Sequence, residues 1–132
     1  MQDRPTATEL IAAVKHFLEQ EVLPVQADQR LRFRTLVAAN TLAIVQRELN
    51  AGSALAEDEG QRLQALLGTQ SSSDGDEESR ARTGRLELAR RIRQGEADRG
   101  PWRRAVMAST LTSVEAKLRI SNPQFVTRPD HT

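Results

Sequence analysis

The residues best suited to chemistry in this sequence are arginines that cluster around its single tryptophan. The cluster consists of Arg90, Arg91, Arg93, Arg103 and Arg104, with Trp102 between the two groups. Guanidinium groups bind oxyanions through paired hydrogen bonds, and the free backbone donors of a helix that begins near Pro101 would add to them. If the helices on either side of the intervening turn are antiparallel neighbours, the cluster predicts a phosphate or carboxylate site beside an exposed indole.

A second interpretation of the arginine cluster requires no ligand. Glu87, Glu96 and Asp98 lie close to these arginines in the sequence. Surface arginines commonly form salt bridges with nearby carboxylates, so the cluster is also typical of a solvated, ion-paired helix face. Nucleic-acid binding is not expected, because the formal net charge is only +1 and no recognition motif is present.

Asn40 is the second candidate site residue, because it interrupts the most apolar stretch of the chain, VAANTLAIV at residues 37–45. It shares a helical stripe with Phe33, Val37 and Ile44, so a central position for this helix would bury its amide. A buried amide without a partner costs about 1–3 kcal/mol. Three partners remain open: a group in a neighbouring helix or loop, the same residue across a symmetric interface, or a small ligand.

Catalytic and metal-binding motifs are absent from the sequence. It contains no phosphate-binding glycine loop, GxSxG elbow, HExxH motif or dinucleotide fingerprint, and it has no cysteine. The two histidines, His16 and His131, are not spaced as a metal site. The sequence therefore gives no positive support for an enzyme, and we expect no bound metal or cofactor. An enzyme with an unrecognised site at the Asn40 stripe stays open as a third interpretation, ranked below the two functions given at the end of this section.

Hydrophobic spacing and capping signals predict five helices. The first begins at the Thr6-Ala7-Thr8-Glu9 capping box and carries an apolar stripe opposite a solvent-exposed face with Lys15, Glu19 and Gln20. The third follows Ser53 and ends at Gly68; the fourth spans about Glu78 to Gln94; and the fifth runs from Pro101 to just before Asn122-Pro123.

The second helix, about Arg30 to Leu49, has two apolar stripes on nearly opposite sides. One contains Phe33, Leu36 and Val37, and the other contains Leu31 and Leu42. This pattern predicts a helix in the middle of a bundle, or between a bundle and a second subunit.

The predicted architecture is all-α: a single domain over residues 1–132, built as a small bundle of four or five helices around the second helix. Residues 68–79 contain no large apolar side chain and read as a polar linker, and residues 123–132 read as an irregular tail. The N-terminus lacks a signal-peptide pattern, and no apolar run reaches the roughly 20 residues that span a bilayer. We expect a cytoplasmic protein that does not enter a membrane.

Four segments resemble an uncharacterised bacterial all-helical family, a domain of unknown function: RPTATELIAAVKHFLEQEVLP, LRFRTLVAANTLAIVQREL, ARRIRQGEAD and KLRISNPQF. Members of that family are typically encoded near, or fused to, kinases similar to aminoglycoside phosphotransferases and near acyl-CoA dehydrogenases. The resemblance implies an accessory role in acyl-CoA metabolism. It implies no catalytic residues.

Two functions follow as hypotheses. The first is a non-enzymatic helical module that associates with itself or with a kinase-like or acyl-CoA dehydrogenase partner. The second is a binding module for a phosphorylated metabolite such as an acyl-CoA, with the arginine cluster holding the oxyanion and an apolar slot near Asn40.

Overall fold

The computed structural model describes residues 3–69 and 75–127, and all regular secondary structure in these ranges is helical. The helices are α1 (Ala7–Phe17), α2 (Gln29–Ala51), α3 (Ala54–Leu67), α4 (Glu77–Arg93), α5 (Pro101–Ser121) and α6 (Pro123–Thr127). The predicted all-α fold is confirmed. Within the described ranges there are six α-helices rather than four or five, because a short helix starts at Pro123.

The helix boundaries follow local capping chemistry. Thr6 accepts a hydrogen bond from the Glu9 amide while the Glu9 carboxylate accepts one from the Thr6 amide, which completes the predicted capping box at the start of α1. Asp76 accepts from the Ser79 amide at 2.8 Å and caps α4. Gly68 ends α3 with a φ of 68°, a conformation that glycine adopts without a Cβ clash.

After α1 the chain continues through a π-helical turn, Leu18–Val22, and a 3-10 turn, Leu23–Val25, before α2 begins. Pro24 lies in the 3-10 turn, where its missing amide and its ring prevent a regular α-helix from continuing. Asp28 then accepts a hydrogen bond from the Leu31 amide at 3.1 Å and starts α2.

The chain divides into an N-terminal unit, Met1–Ala51, and a C-terminal unit, Gly52–Thr132. In the N-terminal unit α1 packs against α2. Leu49 near the end of α2 shares a cavity wall with Thr6–Thr8, and the Arg32 guanidinium near its start donates to the Leu23 carbonyl. The two helices are therefore antiparallel.

Ala39 is the buried residue of α2, and it has 4% of its surface exposed. Neither apolar stripe of this helix is fully covered in the single chain: Leu42 and Ile44 are half-buried, but Phe33 is 66% exposed, Leu31 46% and Leu36 46%. The predicted central position of the second helix is not what the single chain shows. α1 contacts α2 along a line that runs through the small Ala39, between the stripes.

The apolar stripe of α1 also remains half exposed, at Leu10, Val14 and Phe17. Ile11 and Lys15 are more covered than these three residues. The prediction that Lys15 and Glu19 form the wet face of this helix is therefore only partly right, since the lysine stem lies along the packed side while its ammonium reaches Glu19 at 3.4 Å.

The C-terminal unit is organised around α3, which packs against both α4 and α5. Its buried apolar residues are Leu63, Leu67, Ala81 and Val106. Gly84 allows α4 to approach α3 closely, because a Cβ at this position would lie 3.1 Å from the Leu63 Cβ atom. A larger residue at position 84 would force these helices apart.

Two predicted irregular segments are shorter than expected. The last three residues of the 68–79 linker, residues 77–79, belong to α4, and residues 70–74 lie outside the described ranges. Pro123–Thr127 is helical rather than irregular, because proline suits the first position of a helix, and residues 128–132 are not described. The chain predicted to form a single domain over 1–132 divides into two compact units, Met1–Ala51 and Gly52–Thr132.

Candidate functional site

Asn40 is exposed on the surface of α2. The expectation of a buried amide that needs a partner is therefore wrong for the single chain. Its stripe, with Phe33 and Val37, faces away from the contact line at Ala39, since residues one position apart are separated by about 100° around a helix. Asn40 marks an open apolar surface and not a sheltered pocket.

Trp102 does not present an exposed indole. Its side chain is half-buried, and the indole Nε1 donates to the Leu66 carbonyl at 2.9 Å. The Arg91 guanidinium donates to the next carbonyl, that of Leu67, at 3.2 Å. The last carbonyls of a helix have no partner within that helix, and they lie at the negative end of its dipole. Arg91 and Trp102 therefore cap the end of α3 and link it to α4 and α5.

Arg90 and Arg91 share one carboxylate. Glu87 accepts from Arg90 Nε at 2.9 Å and from Arg91 Nε at 3.0 Å, while Arg90 also reaches Gln94 at 2.9 Å. The hydrogen bonds from Arg90 and then Arg91 lower the pKa of Glu87 to about 2. For Arg90 and Arg91 the structure therefore agrees with the second interpretation of the arginine cluster, a helix face paired with nearby carboxylates.

The ion pairs of Glu87 predict a loss of stability in acid. A carboxylate with a lowered folded-state pKa stabilises the fold above its unfolded value, 4.5, and loses that contribution as pH falls toward about 2. Denaturant unfolding of the wild type and Glu87→Gln should therefore show a wild-type advantage at neutral pH that shrinks across this window. An advantage that stays constant with pH would contradict the pairing.

The remaining arginines of the cluster do not converge on a common point. Arg93 Nε donates to the Ala89 carbonyl of its own helix at 3.3 Å, and Arg103 donates to the Asp98 carbonyl at 3.2 Å. Arg104 is exposed on α5. The structure thus uses most of the predicted oxyanion donors for backbone carbonyls and for Glu87.

An ionic cluster centred on Glu59 was not singled out from the sequence. The Glu59 side chain is only 9% exposed, and its Oε1 lies 3.0 Å from Arg85 and 3.8 Å from Lys117. Arg85 also reaches Glu78 at 3.1 Å. Glu59 therefore joins α3 to both α4 and α5. The available signal was its position four residues before Leu63, on the apolar stripe of α3.

The same three helices form an open groove beside Glu59, with a volume of about 280 Å³. Its apolar walls include Leu88, Ile92 and Val114, and Lys117 lies at its edge. The volume is slightly below that of a typical ligand pocket, roughly 300–1,000 Å³. The groove therefore combines apolar walls with charged side chains, Glu59, Arg85 and Lys117.

Both α-helices of the N-terminal unit expose apolar side chains. On α1 the exposed fractions are 53% at Leu10, 50% at Val14 and 50% at Phe17. On α2 they are 37% at Val45 and 45% at Leu49. Exposed apolar side chains at these spacings suit docking of another protein better than binding of a small polar ligand.

No helix in the described part of the chain combines the length and the apolar character needed to cross a membrane. Neither the curated proteins nor the solved structures include a significant match to the sequence. The family model for a domain of unknown function, DUF6285, matches residues 25–125, which cover α2 to α5 and part of α6. This match spans well over half of the chain, and the protein therefore belongs to the DUF6285 family.

Proposed function

We propose that this protein is a non-enzymatic helical module whose function is to bind other protein chains. The observation that supports this proposal is the balance of buried and exposed apolar residues. In residues 3–69 and 75–127 the buried hydrophobic residues are Ala39, Leu63, Leu67, Ala81 and Val106, whereas sixteen large hydrophobic residues are exposed. Exposed apolar surface beyond single scattered residues marks protein interaction sites.

The proposed partners are a kinase similar to aminoglycoside phosphotransferases or an acyl-CoA dehydrogenase, in addition to the chain itself. This part of the proposal is supported by the resemblance, since members of the family are encoded near such enzymes. The role would be that of an accessory protein in acyl-CoA metabolism in the cytoplasm.

The phosphorylated-metabolite hypothesis has less support at the residues that motivated it. Arg90 and Arg91 already hold Glu87, and Trp102 holds a backbone carbonyl. A phosphate at this position would have to displace those acceptors. Binding to another protein requires no such rearrangement, because the exposed side chains of α1 and α2 are accessible as they stand.

The test is capture of enzymes from the native host with the tagged 132-residue chain. We expect a kinase or acyl-CoA dehydrogenase of the classes above to co-purify, and the double variant Phe33→Ala, Leu36→Ala to reduce its recovery at least several-fold. Thr41→Ala, an exposed polar position on the same helix, is the matched control and should leave recovery unchanged. Failure to capture either enzyme class, together with a monodisperse monomer in light scattering, would overturn the proposal.

A further inference from the structure

The helix α2 carries a complete heptad seam. Apolar or small residues recur at alternating spacings of four and three, at Leu31, Thr35, Ala38, Leu42, Val45 and Leu49. This is the a and d pattern of helices that pack side by side in coiled coils and four-helix bundles. The chain itself covers this seam only in part: Thr35 and Leu42 are half-buried, whereas Leu31, Val45 and Leu49 are 46%, 37% and 45% exposed.

The helix α1 carries a second seam on the same side of the hairpin. Leu10, Val14 and Phe17 have the same four-then-three spacing and are about half exposed. The two helices pack against each other, and on each of them a covered position directly follows a d residue: Ile11 on α1 and Ala39 on α2. In an antiparallel pair, contact through these equivalent positions leaves both seams facing one direction. Together they form half of a four-helix bundle.

We infer that the missing half is a second copy of this chain, paired through antiparallel α2 helices about a two-fold axis. This inference rests on the proposed interaction function and names the partner for one surface. An antiparallel seam places each a residue opposite a d residue of the partner helix. The layers would be Leu31 with the partner's Leu49, Thr35 with the partner's Val45, and Ala38 with the partner's Leu42.

The register that forms these layers also brings the ends of the two α2 helices level and places opposite charges side by side. α2 spans Gln29–Ala51, so its midpoint is residue 40, and the same register brings the two helix ends level. Arg34 and Glu48, both exposed, occupy the flank that α1 leaves open. Each Arg34 would lie beside the partner's Glu48, and this pairing occurs twice. Glu48 otherwise lies in the last helical turn, where the dipole disfavours a carboxylate.

The surface is large enough for a specific dimer. Six half-exposed large side chains supply on the order of 400 Å² of apolar area per chain. With the flanking polar side chains, the two copies together reach about 1,200 Å², the lower bound of stable specific interfaces. Asn40 lies on the back of this bundle, which agrees with its exposure, and Phe33 and Leu36 stay accessible to a different partner.

A disulfide test can read this register directly, because the chain has no cysteine of its own. Positions 31 and 49 of one helix are about 27 Å apart, so a disulfide between them must join two chains. We expect the double variant Leu31→Cys, Leu49→Cys to form a covalent dimer of twice the 14.7 kDa chain mass under mild oxidation. Each single variant should form no such dimer, because in the antiparallel pair position 31 of one chain and position 31 of its partner lie at opposite ends of the interface, and the same holds for position 49.

The matched control is Phe33→Cys, Arg47→Cys, which lies at nearly the same levels on the back of α2 and should not cross-link. Circular dichroism of each variant checks that the helices are intact, and light scattering of the unmodified chain should show a dimer at tens of micromolar. A monomer at that concentration, cross-linking in the single variants, or preferential cross-linking of the control pair would overturn the inference. Capture of a host enzyme by a monomeric chain would reject only the dimer and leave the proposed function standing.

Discussion

Replacing Ala38 with glutamate is expected to convert the α2-paired dimer into a monomer. Ala38 lies in the innermost layer of the seam, where it would face the partner's Leu42. The substitution places a carboxylate against hydrocarbon in both copies, with no cation in the layer to pair with it. A cost of about 3 kcal/mol per dimer corresponds to a dissociation constant raised roughly 100-fold.

The measurement is sedimentation equilibrium across a range of concentrations, and Asn40→Glu is the matched control. Asn40 is two residues away on the same helix and exposed, and it lies on the side opposite the seam, so the same change in charge should leave the dimer intact. Equal effects of the two substitutions would point to net charge rather than to the interface. An unchanged dimer in Ala38→Glu would place the contact elsewhere.

The inferred dimer would give the N-terminal unit the core that it lacks. This unit has 51 residues, and Ala39 is its buried hydrophobic residue in the described part of the chain. Domains of this size bury a smaller fraction of their surface than larger domains do, and helical stability in proteins comes mainly from packing of an apolar face. Association would therefore stabilise α1 and α2 as well as bring two chains together.

Helix positions could be predicted from the sequence because their signals are local. The capping box at Thr6, the glycine at position 68 and the proline at position 101 each act on the backbone within one turn. Such signals do not depend on which other helix is nearby. The observed boundaries of α2, α3 and α5 accordingly lie within two residues of the predicted ones.

The surroundings of α2 could not be predicted in the same way. Two apolar stripes indicated two covered sides, but hydrophobic periodicity does not show that α1 would pack between them, on Ala39. An alanine contributes little to a hydropathy pattern, although its small side chain lets two helices approach each other closely. Asn40 was consequently interpreted as buried when it lies on an open surface.

The hydrogen-bond partners of Arg91 and Trp102 in the C-terminal unit could not be predicted from the sequence either. Arg91 and Trp102 serve the carbonyl end of α3, which lies 24 and 36 residues away in the sequence. The sequence indicated that these side chains could bind anions or acceptors. It could not specify that the acceptors are the last carbonyls of a helix in the same chain, since that depends on tertiary packing.

Glu59 is the charged residue of the C-terminal unit whose substitution should cost substantial stability. Its carboxylate is almost fully buried and contacts cations from two other helices, Arg85 at 3.0 Å and Lys117 at 3.8 Å. Removal of one partner from a buried ion pair costs about 3–5 kcal/mol, because the remaining charge is left uncompensated. Both cations reach solvent here, so the expected loss for Glu59→Ala is smaller, about 2 kcal/mol.

Urea unfolding of Glu59→Ala measures this loss, with Glu57→Ala as the control, since Glu57 is exposed on the same helix and should change stability by less than about 0.5 kcal/mol. A double-mutant cycle with Arg85→Ala separates the ion pair from simple loss of packing. If the pair acts as the geometry indicates, Glu59→Ala should cost much less in the Arg85→Ala background, because the guanidinium that Glu59 compensates on α4 is then absent. Additive losses would show that Glu59 stabilises the unit mainly through packing of its hydrocarbon stem or through Lys117.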